Sequence, residues 1–502
     1  VKRLISLIVL GAFLCCSTAM ASEIRCGAAV ADLPFKDGRA TAETAQALRE
    51  ELLYERAVQA YLWALPLINT LGMKNGSEKT FGAGYNVLPI WKERLDAKTL
   101  VTTPNVDVLY AMSYVDLGKD GPLVFEAPPN LQGILMDVWQ RPIPVDGGKY
   151  FGDVGLPGPD HGKGGKILLL PPGYKGEVPD GYFIYRSATN TVFIFLRAFF
   201  DDPRNLAPTV ALLERTKLYP LGGKQAAKPM VFPDASGVAV DMLPRRDGGV
   251  FNDLKSLVDN EIPGIAEPDS LALLAAIGIV KGNPFAPDAQ TRAILDRAAR
   301  NAYKISRVVG FEDTVSGQSF RLYADRHWLN PMAGHHADNT QPASAAHGSE
   351  IPDLDARIWF FTNYYSMSPG MASNTPGVGA KYLIAFSDGD GAPLSGGRSY
   401  RLRLPADIPA ANFWSVTLYD AANGSGLDNG QPFPSLGSRD HPVTAPNGDT
   451  ELVLSPQAPE NGKANWLRTV LGKDFFVILR LYGPTKAALD NTWKPGDLEP
   501  IP

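Results

Sequence analysis

The chain has 502 residues and a mass of 54.1 kDa, too long for one ordinary core and suited, at roughly 150 residues per domain, to two or three domains. Its 45% hydrophobic and 20% charged residues are the composition of a soluble globular protein. A net charge of −5 and a pI near 5.8 exclude the basic footprint that nucleic acid or an anionic membrane calls for.

Lys2 and Arg3 precede an apolar run to Cys16, and Ala19-Met20-Ala21 offers a small-x-small cleavage pattern. Residues 1–21 are therefore expected to be a signal peptide, which places the mature protein in the periplasm or outside the cell. The run is shorter than the ~20 residues that span a bilayer, so no membrane insertion is expected. Cys26 is the one cysteine left after cleavage; with no internal disulfide, stability must come from the core. Residues 22–39 are expected to be a disordered leader.

An N-terminal domain is assigned to residues 40–205. It opens with a helix capped by Thr41, whose stripe is Tyr54, Val58, Tyr61, Leu62 and Leu65, and which Pro66 should kink or end. Short apolar stretches then alternate with Gly and Pro over residues 106–115, 123–125, 133–139, 166–170, 182–185 and 191–195, the pattern of a sandwich or jelly roll. The first starts in Thr102-Thr103-Pro104-Asn105-Val106-Asp107-Val108-Leu109-Tyr110. A strand beginning at Pro104 would send Asn105 and Asp107 to one face.

Residues 206–352 are expected to form a helical bridge, with helical periodicity over 208–221 and 251–309 and Asp288 as a cap. Its end holds His327, His335, His336 and His347. No Glu or Asp completes a standard zinc spacing there, so an ordinary surface loop is preferred to a metal site on His335, His336 and His347. From 353 to 502 a second β domain is expected, with strands over residues 358–365, 380–386, 400–404, 413–419, 451–454 and 475–482. The Ser387–Gly391 turn lacks the spaced oxygens of a calcium loop. The fold expected is thus a β-dominated α+β chain, two sandwich or jelly-roll-like domains joined by helices.

Pro104-Asn105-Val106-Asp107-Val108-Leu109-Tyr110, Pro171-Pro172-Gly173-Tyr174 and Arg197 resemble the bacterial domain-of-unknown-function family 1254. Phe413-Trp414-Ser415-Val416-Thr417-Leu418-Tyr419-Asp420, Asn465-Trp466-Leu467 and Leu479-Arg480-Leu481-Tyr482-Gly483-Pro484 resemble its usual C-terminal companion, family 1214. The resemblance implies two β domains joined by helices, often in exported proteins, and carries no activity. Val108 departs from it, since a Thr usually follows the Asp of the first motif.

Three constellations could carry chemistry. Asp107 and Asp137, with Tyr110, offer the two carboxylates that glycoside hydrolysis uses, unless Asn105 and Asp107 only pin neighbouring loop backbone. Arg186, Arg197 and Arg480 lie in apolar strands, where a guanidinium either closes a buried ion pair, with Asp107 and Asp420 as natural partners, or binds an anion. In the C-terminal domain, alternation buries Trp414, Val416 and Leu418 and turns Tyr419 the other way. Ligand contacts are therefore expected from Asn105, Arg197, Tyr419 and Arg480. No nucleophile elbow, P-loop, dinucleotide fingerprint or HExxH occurs, and no cofactor is indicated. Two readings stay open: a binding or assembly protein, which is favoured and could be a homo-oligomer, and a hydrolase-like enzyme on carbohydrate or another polar small molecule.

Overall fold

The structure is a computed structural model that describes residues 28–261, 268–332, 353–460 and 465–501. The expected signal segment, Cys26, His335, His336 and His347 lie outside the described residues. The chain divides into two compact units, residues 1–55 and 56–502. In the first, residues 28–40 correct the expectation of a disordered leader. Phe35–Lys36 pairs antiparallel with Arg39–Ala40 across Asp37 and Gly38, both at positive φ (51° and 76°). Asp-Gly is a favoured two-residue hairpin turn because both residues tolerate that conformation.

Helix α1 (Ala42–Trp63) and helix α2 (Leu65–Phe81) meet where Pro66 takes up the first turn of α2, the helical position that tolerates a missing N–H. The larger unit contains two β-sandwiches. The first has eight strands: β1 (Leu109–Asp116), β2 (Leu123–Ala127), β3 (Gln132–Asp137), β4 (Asp153–Val154), β5 (Gly165–Leu170), β6 (Phe183–Arg186), β7 (Thr191–Ala198) and β8 (Lys217–Pro220). One sheet runs β1-β7-β3-β4 and the other β8-β2-β5-β6. Leu109, Ala111 and Val115 of β1, Ile194 and Leu196 of β7, and Phe125 and Ile167 of the facing sheet share one core.

Two expectations change here. Residues 104–108 are not strand: Asp107 N–H donates to Asn105 Oδ1 at 2.9 Å, an Asx turn that holds the segment as a loop until Leu109. Residues 208–221 are not all helix. After helix α3 (Ala207–Leu213), Lys217–Pro220 pairs with β2 and completes the first sandwich.

Helices α4 (Val250–Asn260), α5 (Pro268–Ala276) and α6 (Ala289–Gly310) follow, α6 capped by Asp288 accepting from Thr291 N–H. Residues 358–365, expected as strand, belong instead to helix α7 (Leu354–Asn363) and the loop after it. Asp353 caps α7 by accepting from Ala356 N–H at 2.9 Å. The apolar run Ile358-Trp359-Phe360-Phe361 is buried on every side, and such a run carries no periodicity to tell helix from strand.

The second sandwich is built from β9 (Ala380–Ala385), β10 (Ser399–Leu404), β11 (Ala410–Asp420), β12 (Ser435–Gly437), β13 (Thr450–Ser455), β14 (Trp466–Arg468), β15 (Phe475–Pro484) and β16 (Leu498–Ile501). Its sheets run β9-β15-β11-β12 and β14-β13-β10-β16. Trp414, Val416 and Leu418 join Leu479, Leu481 and Leu402 in its core, as alternation requires. The Ser387–Gly391 stretch is a turn held by Asp388, which accepts from Asp390 and Ala392 N–H. No helix among the described residues is long and apolar enough to cross a membrane.

Candidate functional site

Each sandwich has one sheet whose outer face is also buried, and those two faces build a common chamber. In β1 and β7 the residues that alternate with the core set are Tyr110, Met112 and Tyr114 and, opposite them, Phe193, Phe195 and Arg197, with Arg197 in register with Tyr110. Tyr110 stacks on Phe195 at 5.2 Å and Tyr114 on Phe193 at 4.8 Å. In the second sandwich Tyr382, Arg480 and Ser415 stand side by side across β9, β15 and β11, and Phe413 stands beside Tyr482, stacked at 4.1 Å. The seam closes through Phe199, edge-on to Phe413 and Tyr482, and through Phe195, edge-on to Tyr365.

Arg197 and Arg480 both border a small cavity in this seam, with about 40 Å³ open to the centre of a water molecule. Five tyrosines (Tyr110, Tyr364, Tyr365, Tyr382 and Tyr482) line it, as do Asn105, Thr103 and Ser366. Arg480 is 2% exposed and is held by donating from Nη1 to Tyr419 Oη at 2.6 Å and from Nη2 to the Thr103 carbonyl at 3.0 Å. Tyr419 donates in turn to the Pro104 carbonyl at 2.6 Å, so strand β11 fixes the loop that carries Asn105. Neither Arg197 nor Arg480 forms an ion pair among the described residues, and Arg197 Nε has no hydrogen-bond partner there. This corrects the expected pairing: Asp107 binds Arg94 (2.8 Å), Asp420 binds Lys473 (2.7 Å) and Arg186 binds Asp146 (2.7 Å).

The hydrogen-bond balance favours donors. Burial raises the hydroxyls of Tyr110, Tyr364, Tyr365 and Tyr482 well above the ordinary phenol value, so all four keep their protons. Asn105 donates from its backbone to Tyr110 Oη (3.3 Å) and from its side chain to Tyr482 Oη, so both hydroxyls already accept. The Tyr364 hydroxyl has no partner among the described residues. Two guanidiniums and several phenol protons thus converge on a space with few acceptors.

Backbone strain marks the same place. Thr103 (φ 43°) and Ser366 (φ 57°) both sit in the left-handed region, at a cost on the order of 1–3 kcal/mol each. Thr103 is held there by its hydroxyl on the Asn363 carbonyl (2.7 Å) and its N–H on the Gly424 carbonyl (2.7 Å). Ser366 is held by its N–H on Gln140 Oε1 (2.8 Å). Behind the wall lies Asp153, 1% exposed. Burial pushes its carboxyl up to about 6, against the Gly370 N–H at 2.9 Å and the charge of Arg197.

Asn105, Tyr110, Arg197 and Arg480 therefore meet at one cavity, with Tyr419 directly behind Arg480. Asp107 and Asp137 do not line it. Asp137 accepts from Trp139 and Arg141 N–H and pairs with the Arg141 side chain at 2.6 Å, closing a turn; burial raises its carboxyl in spite of that cation. Asp107, with Arg94 and Asp440 around it, ties the 104–108 loop to the second sandwich through Arg439 on its carbonyl at 3.0 Å. Among the described residues no group of three or more His, Cys, Asp or Glu could hold a metal ion. Tyr364 and Tyr365 are lining residues that the strand-like reading of 358–365 concealed, and Ser366 follows them; Tyr482 lies in period two from Arg480, whereas Tyr382 stands beside Arg480 only through pairing of β9 with β15.

Comparison with known proteins places the two halves separately. Residues 85–220 match the family model described as protein of unknown function (DUF1254), and residues 379–486 match that described as protein of unknown function (DUF1214). No curated protein matches the chain. Among solved structures, the VPA0106 protein from Vibrio parahaemolyticus is 18% identical with a TM-score of 0.51, covering 90% of this chain and 100% of its own, a likeness of fold. An uncharacterised protein from Burkholderia cenocepacia aligns over 92% of this chain and 97% of its own at 13% identity and a TM-score of 0.38.

Proposed function

We propose that this protein binds a small carboxylate in the chamber between its sandwiches, clamped by Arg197 and Arg480 and hydrogen-bonded by the tyrosine hydroxyls. The observation that carries the reading is a pair of guanidiniums, Arg480 buried and Arg197 half-buried, that border one cavity and form no ion pair among the described residues. A buried cation without an ion-pair partner costs several kcal/mol, and an anion brought from solution offsets that cost in a way that fixed dipoles alone do not. Guanidinium forks match the two oxygens of a carboxylate, and phenol donors complete its lone pairs. A volume of about 40 Å³ holds a carboxylate-sized group, a few water-equivalents at roughly 10–15 Å³ each. The basic-then-apolar N-terminus supports a setting outside the cytoplasm, as expected of an exported binding protein.

The test is calorimetric titration with acetate at constant ionic strength, on the protein and on Arg197→Met and Arg480→Met. Acetate is expected to bind the parent and to lose at least tenfold in affinity in either variant, since removing a charged hydrogen-bond donor costs about 1.5–3 kcal/mol. Equal acetate affinity in parent and variants would overturn the reading.

A further inference from the structure

A second cavity, larger and unrelated to the arginine chamber, lies beside His327, with a volume of about 520 Å³, inside the range of small-molecule sites. We propose that it is a second ligand site, taking a small uncharged aromatic ring that bears a hydroxyl group, with that hydroxyl donating to His327 Nε2.

One carboxylate stands beside the ring of His327. Asp497 accepts from the His327 backbone N–H through Oδ1 at 2.9 Å and places Oδ2 at 3.5 Å from Nδ1. The two make no hydrogen bond, but the negative charge at 3.5 Å favours a proton on Nδ1 over one on Nε2, which leaves the Nε2 lone pair as an acceptor. The space beside Nε2 is kept open by Gly391, another lining residue. Its φ of 82° disfavours any side chain, and a Cβ at that position would stand 3.7 Å from Nε2.

The walls set the rest of the ligand. Phe311 and Phe386 meet edge-on at 4.8 Å and are only partly buried, so each leaves apolar surface facing the cavity; Leu329 and Phe475 complete that side. A flat ring satisfies such walls better than a chain, because edge-to-face contacts add to area burial. Charge at the rim selects against anions. Glu312 and Asp474 are exposed and form no ion pair among the described residues, while Arg321 is neutralised by Asp313 at 2.6 Å.

The test uses the full chain labelled with carbon-13 at histidine Cε1, with the His327 resonance assigned by its loss in His327→Gln. Phenol is expected to shift that resonance saturably. Toluene, in which a methyl replaces the hydroxyl, should bind about tenfold more weakly, and benzoate more weakly still. His327→Gln should lower phenol affinity, read by calorimetry, while leaving toluene affinity unchanged, a split that a misfolded variant would not give. Arg197→Met should leave phenol binding as it is, which separates this site from the chamber. No shift of the His327 signal up to the solubility of phenol, equal affinity for toluene, or tighter binding of benzylammonium than of phenol would each overturn the proposal.

Discussion

Buried Asp153 shows how a single residue registers the chamber. Its carboxyl titrates at about 6 because burial penalises the charged form more than Gly370 N–H and Arg197 favour it. The folded value lies above the unfolded one, 3.8, so its contribution to stability is fully present below pH 3.8 and is lost as pH rises through about 6. Asp153→Asn removes the cost of the charged form. The variant should gain stability relative to the parent between pH 4 and pH 7, by at most ~3 kcal/mol at 1.36 kcal/mol per pKa unit. Urea denaturation at the two pH values checks this; an unchanged parent-to-variant difference contradicts it. Asp107 marks what sequence could and could not tell at this scale. Its presence in a polar cluster was plain, but its partner Arg94, thirteen residues away in a loop, follows from no spacing rule.

At the level of elements, period two did most of the positioning. In Leu479-Arg480-Leu481-Tyr482 the leucines enter the core and Arg480 and Tyr482 emerge together on the other face, and β7 does the same with Leu196 and Arg197. That much was legible. Helix α7 was not, because its apolar run is buried all round and the Asp353 cap is one residue among many. The cap has a measurable consequence. Asp353 Oδ1 accepts from Ala356 N–H and from the Ser316 hydroxyl at 3.1 Å. Asp353→Ala should cost about 1 kcal/mol, with a range of 0.5–2, read as a lower denaturation midpoint at unchanged slope. Because α7 leads directly into Tyr364, Tyr365 and Ser366, the same variant should also weaken acetate binding; unaltered affinity would detach the helix end from the chamber.

For the larger unit as a whole, the chamber is shared property. Its walls come from β1 and β7 of one sandwich, β9 and β15 of the other, and the loop after α7. A ligand held there stabilises every element that supplies a wall, so acetate at about a hundred times its Kd should add about 2.7 kcal/mol. The gain should appear equally in hydrogen exchange of β7 amides and β15 amides. Protection confined to one sandwich would mean that the anion engages one arginine and not both.

The amino-acid sequence by itself indicated a β-dominated α+β fold and the core face of the strand that holds Trp414, Val416 and Leu418, because these depend on periodicity and turn chemistry within a few residues. It also singled out Asn105, Tyr110, Arg197 and Arg480. Only the tertiary structure decided that these four meet. Arg480 reaches the Thr103 carbonyl and Asn105 reaches Tyr482 across 377 positions of chain. Whether a buried guanidinium meets a carboxylate or an empty cavity is likewise decided by how two outer sheet faces pack, and no local pattern encodes that packing.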